Sequence, residues 1–306
     1  MTLPIYDVVI IGAGPAGIQA AIHAARKKTD VLMLGRLENS ALQAAHVENY
    51  ACIDGVQAGR DLLEAGHRQA ARFGARMEPQ DVLKISQADD LFQLELEAGD
   101  EIRARTIIFA MGVSKKKLAV PGEKELAGMG VSYCVDCDAN FYRNATVAVV
   151  GDRSAAVDGA LTLLGYAGKV YLITRKLEVS QELQTRLEKS AVEVLHNTWV
   201  KNIEGENSVT GLLLENDATL KVDGVFIELG SKGALELATQ IGVQLDTESF
   251  KYISTNRKLE TNIPGVYAAG DIVGPPYQMA KAVGEGCVAG MEAATYARKL
   301  KQKESP

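Results

Sequence analysis

The chain reads Tyr6-Asp7-Val8-Val9-Ile10-Ile11 and runs directly into Gly12-Ala13-Gly14-Pro15-Ala16-Gly17. The first stretch is short, apolar and rich in β-branched residues, which predicts a parallel strand buried on both faces. The second has the G-x-G-x-x-G spacing, and an alanine-rich segment from Ile18 to about Lys28 predicts the helix that follows. Strand, glycine-rich turn and helix in this order are typical of a dinucleotide-binding α/β fold.

Each position of this turn has a physical role. Gly12 permits the tight turn, and Gly14 lets the backbone approach a pyrophosphate. Gly17 allows the helix to pack closely on the sheet, so that its first amides point at the phosphate charge. We therefore predict that Gly12, Gly14 and Gly17 bind the nucleotide, together with Pro15 and Ala16 between them.

Further along the chain the same pattern predicts a second strand and then a second unit. Val31-Leu32-Met33-Leu34 is the strand after the first helix, and Glu38 is the nearby acid that could bind a ribose. Residues 145–150 form another buried apolar run, followed by Gly151-Asp152-Arg153-Ser154-Ala155-Ala156. The chain therefore holds two Rossmann-like units, which predicts an α/β fold with two three-layer nucleotide-binding domains.

The second turn carries Arg153 where a second glycine would let a pyrophosphate touch the backbone. Its side chain would either fill the space of the phosphates or pair with one of them through its guanidinium fork. Thr174-Arg175-Lys176, after the next strand, could hold a ribose phosphate or could equally cap a strand end.

Near the middle of the chain stands Val131-Ser132-Tyr133-Cys134-Val135-Asp136-Cys137-Asp138. Both sulfurs can lie on one turn of backbone, close enough to form a small and easily reduced disulfide ring. The alternative is half of a zinc site, which requires two further ligands at metal spacing. Because Cys52 and Cys287 stand alone without a paired histidine, the spacing favours a redox pair and predicts no metal site.

Length and composition limit the possible functions. The 306 residues suggest about two domains, and the net charge of −6 argues against nucleic acid or an anionic membrane as a partner. No apolar run is long enough to span a bilayer. Four cysteines are too few for a secreted disulfide framework, so we expect a reducing, cytoplasmic location.

The domain boundaries follow from polar, turn-rich segments and from the return of the chain. Ser114-Lys115-Lys116-Lys117 is expected to be a solvated surface loop or a docking patch for an acidic protein, and it marks the first boundary. The predicted first domain comprises 1–115 and 243–306, and the predicted second domain comprises 116–242. The glycine-dotted C-terminal helix is expected to fold back onto the first domain.

Taken together, these motifs resemble the low-molecular-weight thioredoxin reductases, which are two-domain pyridine nucleotide–disulfide oxidoreductases. The carriers of the resemblance span nearly the whole chain: Gly12 to Gly17, Glu48-Asn49-Tyr50, Cys134-Val135-Asp136-Cys137-Asp138 with Phe141-Tyr142-Arg143-Asn144, and Ala268-Ala269-Gly270-Asp271. The resemblance implies that the discontinuous first domain binds FAD and that the second, NADPH-domain-like, carries the disulfide. It also implies a flavin disulfide reductase of thioredoxin or a similar protein, and a homodimer.

The resemblance also implies roles for single residues. Cys137 would face the flavin, Cys134 would attack the partner's disulfide, and Asp138 would donate a proton to the leaving thiolate. Asp271 would bond the ribityl chain of FAD. The other residues that we assign to FAD lie at the Glu48–Tyr50 turn, at two strand ends and at the start of the last helix: Asn49, Gly112, Gly270, Met279 and Ala280.

The departures from the family concern its NADPH half. Arg153 replaces the central glycine, Thr174-Arg175-Lys176 replaces a His-Arg-Arg cluster, and Ser180 replaces a later arginine. Near the flavin, Asn39-Ser40-Ala41 and Ala110-Met111-Gly112 replace two further family motifs. The chain thus resembles the subgroup that takes electrons from reduced ferredoxin or flavodoxin, or through a second flavin, instead of from NADPH. The alternatives are an NADPH-dependent thioredoxin reductase, a diflavin enzyme, or a flavin-bound redox sensor or binding module.

Overall fold

The computed structural model of the protein describes residues 3–113 and 117–304, so Ser114, Lys115 and Lys116 of the predicted docking patch lie outside it. The strands are β1 Ile5–Ile11, β2 Val31–Leu34, β3 His46–Val47, β4 Gln57–Ala58, β5 Arg76–Glu78, β6 Val82–Ala88, β7 Leu91–Leu96, β8 Glu101–Phe109, β9 Val131–Ser132, β10 Thr146–Val150, β11 Lys169–Ile173, β12 Glu193–Leu195, β13 Val200–Glu204, β14 Gly211–Leu214, β15 Thr219–Leu220, β16 Gly224–Ile227 and β17 Val266–Ala268. The helices are α1 Pro15–Arg26, α2 Gly59–Arg72, α3 Val135–Asp138, α4 Ser154–Leu163, α5 Gln181–Glu188, α6 Ala234–Gln240 and α7 Met279–Glu304.

The chain divides into two compact units. Within the described residues, the first unit comprises 3–96, 100–113 and 233–304, and the second comprises 97–99 and 117–232. The chain returns from the second unit to the first between residues 232 and 233, which is before the predicted boundary at 242/243. The reason is packing, because Ala234, Leu237 and Ala238 of α6 are buried in a core of the first unit.

The first unit is built on a mixed sheet in the order β5-β2-β1-β8-β7-β6, with β17 also paired to β8. Strands β5, β2, β1, β8 and β17 are parallel, whereas β7 runs antiparallel to both β6 and β8. Alternate residues of β1 enter opposite layers: Val8 and Ile10 pack with α1 and α7, and Val9 and Ile11 pack with α6. This is the predicted three-layer arrangement.

Helix α7 folds back onto this unit, as its glycines predict. A Cβ on Gly286 would lie 2.2 Å from the carbonyl oxygen of Ala16, and a Cβ on Gly290 would lie 2.3 Å from that of Ala20. The backbones of α1 and α7 are therefore in direct contact. Among the described residues, no helix combines the length and the apolar character that a membrane span requires.

The second unit contains the predicted repeat of strand, turn and helix. Its parallel sheet has the order β12-β11-β10-β16-β9, and β13, β14 and β15 form a separate antiparallel sheet. Strand β10 leads through residues 151–153 into α4, as β1 leads through the glycine-rich turn into α1. The two Rossmann-like sheets are therefore confirmed.

Candidate active site

The glycine-rich turn after β1 is compact because two of its glycines occupy places where a side chain has no room. Gly12 has a φ of +120°, and a Cβ there would lie 2.3 Å from the carbonyl oxygen of Ala110. A Cβ on Gly17 would lie 1.9 Å from the carbonyl oxygen of Gly12. By contrast, a Cβ on Gly14 would approach Ser40 Oγ at 3.4 Å, which is an ordinary contact. Gly12 and Gly17 therefore shape the turn, and partly exposed Gly14 leaves backbone accessible to a ligand.

Helix α1 begins in a way that suits a pyrophosphate. Gly14 stands at its N-cap position and has no side chain with which to cap the first turn, and Pro15 follows. The amides of this turn carry the positive end of the helix dipole, which attracts phosphate. Gly270 lies against the same turn, because a Cβ on it would be 3.0 Å from the Cβ of Ala16. The structure thus brings two separately predicted parts of the cofactor site together.

The loop that carries Asp271 is held by two residues of α7 that the sequence analysis missed. Lys281 Nζ donates to the carbonyl oxygens of Gly270 at 2.8 Å and Gly274 at 2.7 Å. Glu285 Oε2 accepts from the Gly270 amide at 2.8 Å and lies 3.0 Å from Lys281 Nζ. Burial raises the pKa of the Asp271 carboxyl, and the Lys281 ammonium opposes that rise. A Lys–Glu pair four residues apart near a helix start is the signal that could have identified them.

Other predicted cofactor residues lie around the carboxyl ends of the parallel strands. Asn49 Nδ2 donates to Gln278 Oε1 at 3.1 Å, which places Asn49 beside the first residues of α7, Met279 and Ala280. Gly112 follows β8 with a φ of +71°, a conformation that favours glycine. Ligands of α/β folds bind in the crevice beyond these strand ends.

Glu38 lies in a short helical turn, Leu37–Asn39, that follows β2, and its side chain is exposed. In a dinucleotide-binding fold, the acidic residue that binds the ribose is expected after the second strand, as Glu38 is. Its role stays a prediction.

The predicted cysteine pair is present as a disulfide, with the Cα atoms of Cys134 and Cys137 5.3 Å apart. We refer to residues 132–138 as the redox turn. Cys134 is 9% exposed and caps α3, whose Cys137 amide points at its Sγ at 3.2 Å. Cys137 is the more exposed of the two. Attack by Cys134 on a partner protein would therefore require it to become accessible.

Asp138 is tied to the start of the redox turn. The Ser132 hydroxyl donates to Asp138 Oδ2 at 2.6 Å, and Ser132 Oγ accepts from the Cys134 amide at 3.1 Å. The charge of Asp138 also contributes to the raised pKa of Tyr142, although burial is the larger cause. This arrangement holds a carboxyl group one residue from Cys137, where it could exchange a proton with a sulfur.

The second glycine-like turn, residues 151–156, is filled by the chain itself. Asp152 Oδ1 accepts from the Thr174 hydroxyl at 2.7 Å and from the Arg175 amide at 2.8 Å. The Ala155 amide in the first turn of α4 donates to the carbonyl oxygen of Gly230 at 3.2 Å. A carboxylate thus stands at the end of β11, where a ribose or its phosphate binds in a dinucleotide domain.

The basic side chains around this turn are also engaged. Arg153 lies 3.2 Å from Glu178, and Arg175 lies 2.6 Å from Glu215 and stacks over the ring of Trp199. These contacts favour the structural role that the sequence left open for Thr174-Arg175-Lys176.

Ser180, which stands where the family has an arginine, serves the local structure. Its hydroxyl donates to the carbonyl oxygen of Glu97 at 2.6 Å, and its Oγ caps α5 by accepting from the Leu183 amide at 3.2 Å. In the described part of the chain, no group of three or more His, Cys, Asp or Glu side chains could hold a metal ion.

The chain is similar to several known proteins in sequence and in fold. The sequence profile of the family described as pyridine nucleotide-disulphide oxidoreductase matches residues 6–286. The thioredoxin reductase of Listeria monocytogenes is 36% identical over 310 residues, covering 97% of this chain and 96% of the relative. The crystal structure of the atypical thioredoxin reductase TRi from Desulfovibrio vulgaris Hildenborough is similar with a TM-score of 0.82 and 36% identity, covering 100% of both chains. A ferredoxin-flavin thioredoxin reductase from Clostridium acetobutylicum is similar with a TM-score of 0.67 and 33% identity, covering 98% of this chain and 100% of the other.

Proposed function

We propose that reduced ferredoxin or flavodoxin, and not NADPH, is the electron donor of this chain, which belongs to the pyridine nucleotide-disulphide oxidoreductases and, within them, to the low-molecular-weight thioredoxin reductases. It is an FAD-dependent disulfide oxidoreductase of the thioredoxin reductase type. The acceptor in this proposal is thioredoxin or a similar protein. FAD is held by the first unit, and the second unit supplies the disulfide.

The donor proposal depends on one observation: the polar groups of the 151–156 turn are already bound to other residues of the chain. NADPH would need backbone space for its pyrophosphate and a cation for its 2′-phosphate. Arg153 stands at the position of the second glycine and pairs with Glu178, while the Asp152 carboxylate takes the strand end by binding Thr174 and Arg175. A phosphate brought to Asp152 would meet like charge. The ferredoxin-flavin enzyme among the similar structures supports the same choice of donor class.

The chain's own residues then perform thiol–disulfide exchange. The glycine-rich turn Gly12–Gly17 and the loop that carries Asp271 would hold FAD, which would supply the Cys134–Cys137 bond with two electrons taken from the donor. The Cys134 thiolate attacks the disulfide of thioredoxin, forming a mixed disulfide and releasing one thioredoxin thiolate. Asp138 gives that thiolate the proton that it took up when the Cys134 thiol became a thiolate. The Cys137 thiolate then attacks Cys134, which restores the internal disulfide and releases the second thioredoxin sulfur.

An exposed aromatic side chain suits the docking of thioredoxin. Phe141 is 81% exposed and lies three residues after Asp138. An exposed ring of this size beside a redox-active disulfide is typical of an anchor for a protein partner. We propose that Phe141 contacts thioredoxin, so that Phe141→Ala raises the KM for thioredoxin while leaving reduction by dithiothreitol unchanged.

The donor proposal is tested by anaerobic mixing of the purified holoenzyme with NADPH, NADH or reduced ferredoxin. We expect the visible absorbance of the flavin to bleach rapidly with reduced ferredoxin and slowly with either nicotinamide. Rapid bleaching by NADPH would instead leave an ordinary NADPH-dependent thioredoxin reductase. That alternative is favoured by relatives such as the enzyme of Bacillus subtilis, which is 34% identical and is named thioredoxin reductase.

Two further parts of the proposal have simple measurements. A second flavin would give about two flavins per chain, and a ratio near one would exclude the diflavin enzyme.

We also propose a homodimer, because Val288 and Met291 form an exposed apolar stripe on α7, 38% and 41% exposed. Sedimentation equilibrium of the holoenzyme at the mass of one chain would contradict it.

A further inference from the structure

A buried lysine lies next to the redox turn and has no role in the scheme above. Lys232 is 6% exposed and follows β16. Its Nζ donates to Asp158 Oδ2 on α4 at 2.9 Å and lies 3.2 Å from Asp136 Oδ2. Asp136 stands between the two cysteines. One ammonium therefore links the redox turn to a helix of the second unit.

Further charges surround this ammonium. Two carboxylates share one lysine, and burial raises the pKa of the Asp158 carboxyl while Lys232 opposes that rise. Asp136 adds to the rise, and Arg186 opposes it. Breaking a buried ion pair leaves an uncompensated charge, which is strongly unfavourable. The buried member of the pair with Asp136 is Lys232, and the Asp136 side chain is 28% exposed, so the ammonium restrains this carboxylate at the edge of the turn and partly offsets its charge.

A further carboxylate approaches the redox turn from the end of β16. Glu228 is 7% exposed, and its Oε1 accepts from the Val135 amide at 3.3 Å. Glu123 also accepts from the Tyr133 hydroxyl at 2.8 Å, so with Asp136 and Asp138 four carboxylates contact or belong to this turn of seven residues. Lys232 contacts the turn directly, through Asp136.

We propose that Lys232 is a positioning residue that sets the thiol acidity and the reduction potential of the Cys134–Cys137 pair. The inference rests on the proposed function to the extent that this pair is the one that reacts. Reduction by two electrons breaks the sulfur–sulfur bond and leaves two sulfur anions, each of which takes up a proton or remains a thiolate. The surrounding carboxylates oppose a thiolate, and Lys232 offsets them by binding Asp136 and Asp158.

The test measures thiol acidity without flavin turnover. Holoenzyme is reduced with dithiothreitol, which is itself oxidised to its cyclic disulfide, and is then alkylated with iodoacetamide across a range of pH. Peptide mass spectrometry follows Cys134 and Cys137 separately from Cys52 and Cys287. For Lys232→Met we expect the pKa of the more reactive thiol to rise by about one unit, so that alkylation at neutral pH slows about tenfold. Lys232→Arg should restore most of the rate.

Asp136→Asn gives the opposite sign and carries the test if Lys232→Met fails to fold. It removes a negative charge from between the cysteines, so the thiol pKa should fall and alkylation at neutral pH should become faster. In equilibrium with glutathione at a pH above the thiol pKa of both proteins, Lys232→Met should shift the balance about tenfold towards the disulfide, which corresponds to about 30 mV, and Asp136→Asn should shift it towards the dithiol.

Lys201→Met is the matched control, because Lys201 forms an exposed ion pair with Asp217 at 2.8 Å in the separate antiparallel sheet of the same unit. It should leave both measurements unchanged. The inference is overturned if folded Lys232→Met keeps the parent pH profile, or if Asp136→Asn shifts the profile in the same direction or not at all. If neither cysteine of the parent protein can be reduced, the proposed function fails as well. A wrong electron donor would leave these results intact.

Discussion

Replacing Gly286 with alanine should separate the two helices that enclose the proposed flavin site. A Cβ there would lie 2.2 Å from the carbonyl oxygen of Ala16, about 1.2 Å short of the 3.4 Å at which ordinary contact begins. Both atoms belong to regular backbone, so a side-chain rotation cannot relieve the clash. Helix α7 must move away from α1, and it would carry Lys281 and Glu285, which hold the Gly270–Asp271 loop, with it.

The magnitude follows from two opposing terms. Overpacking of this kind costs about 1–3 kcal/mol, while glycine to alanine in a helix interior gains up to about 1 kcal/mol. Gly284→Ala is the matched control, since Gly284 is exposed on the same helix and no described atom outside its own stretch of helix lies within 4 Å of its Cβ position. The control should gain stability, and Gly286→Ala should be less stable than the control by about 1–3 kcal/mol.

The assay is urea-induced release of FAD from the holoenzyme, followed by flavin fluorescence. We expect Gly286→Ala to release its flavin at a lower urea concentration than the parent, and Gly284→Ala to release it at the same or a higher concentration. Equal midpoints for the two variants would refute direct backbone contact between α1 and α7 as the support of the site.

Three further predictions concern the second unit. Cys134→Ser should abolish thioredoxin reduction but retain the flavin, as judged from the visible spectrum after desalting. Loss of the flavin would contradict the assignment of the Cys134 sulfur to disulfide exchange alone. Asp152→Asn weakens the bonds from Thr174 and Arg175 and should destabilise the unit by about 1–3 kcal/mol in chemical denaturation; an unchanged midpoint would contradict this. Burial, together with the Glu123 carboxylate, raises the pKa of Tyr133 to about 12. The Tyr133 hydroxyl therefore holds its proton more tightly in the folded state than in the unfolded state. This difference stabilises the folded state fully below pH 10, and the stabilisation is lost as the pH rises towards 12. Tyr133→Phe should flatten the stability curve in that window, and an unchanged slope would be evidence against it.

The sequence by itself determined those parts of the protein whose physics is local. Gly12 and Gly17 are required by φ or by close backbone contact, which fixes their spacing, while Gly14 between them leaves backbone open to a ligand. The same holds for the cysteine pair, because three residues of separation suffice to form the disulfide. Buried parallel strands are continuous apolar runs, so the two Rossmann-like units could be predicted as well.

What the tertiary structure decided depends on residues that are far apart in the chain. Asp152 meets Thr174 and Arg175 because adjacent parallel strands end at the same edge of the sheet, and the sequence left the role of that basic segment open. Lys232 reaches Asp136 from a position 96 residues later. Helix α6 joins the first unit, although its sequence adjoins the second, because its apolar face finds a core there. Such pairings leave no periodic trace in the sequence, since a charge or an apolar face gains its partner through the packing of whole elements.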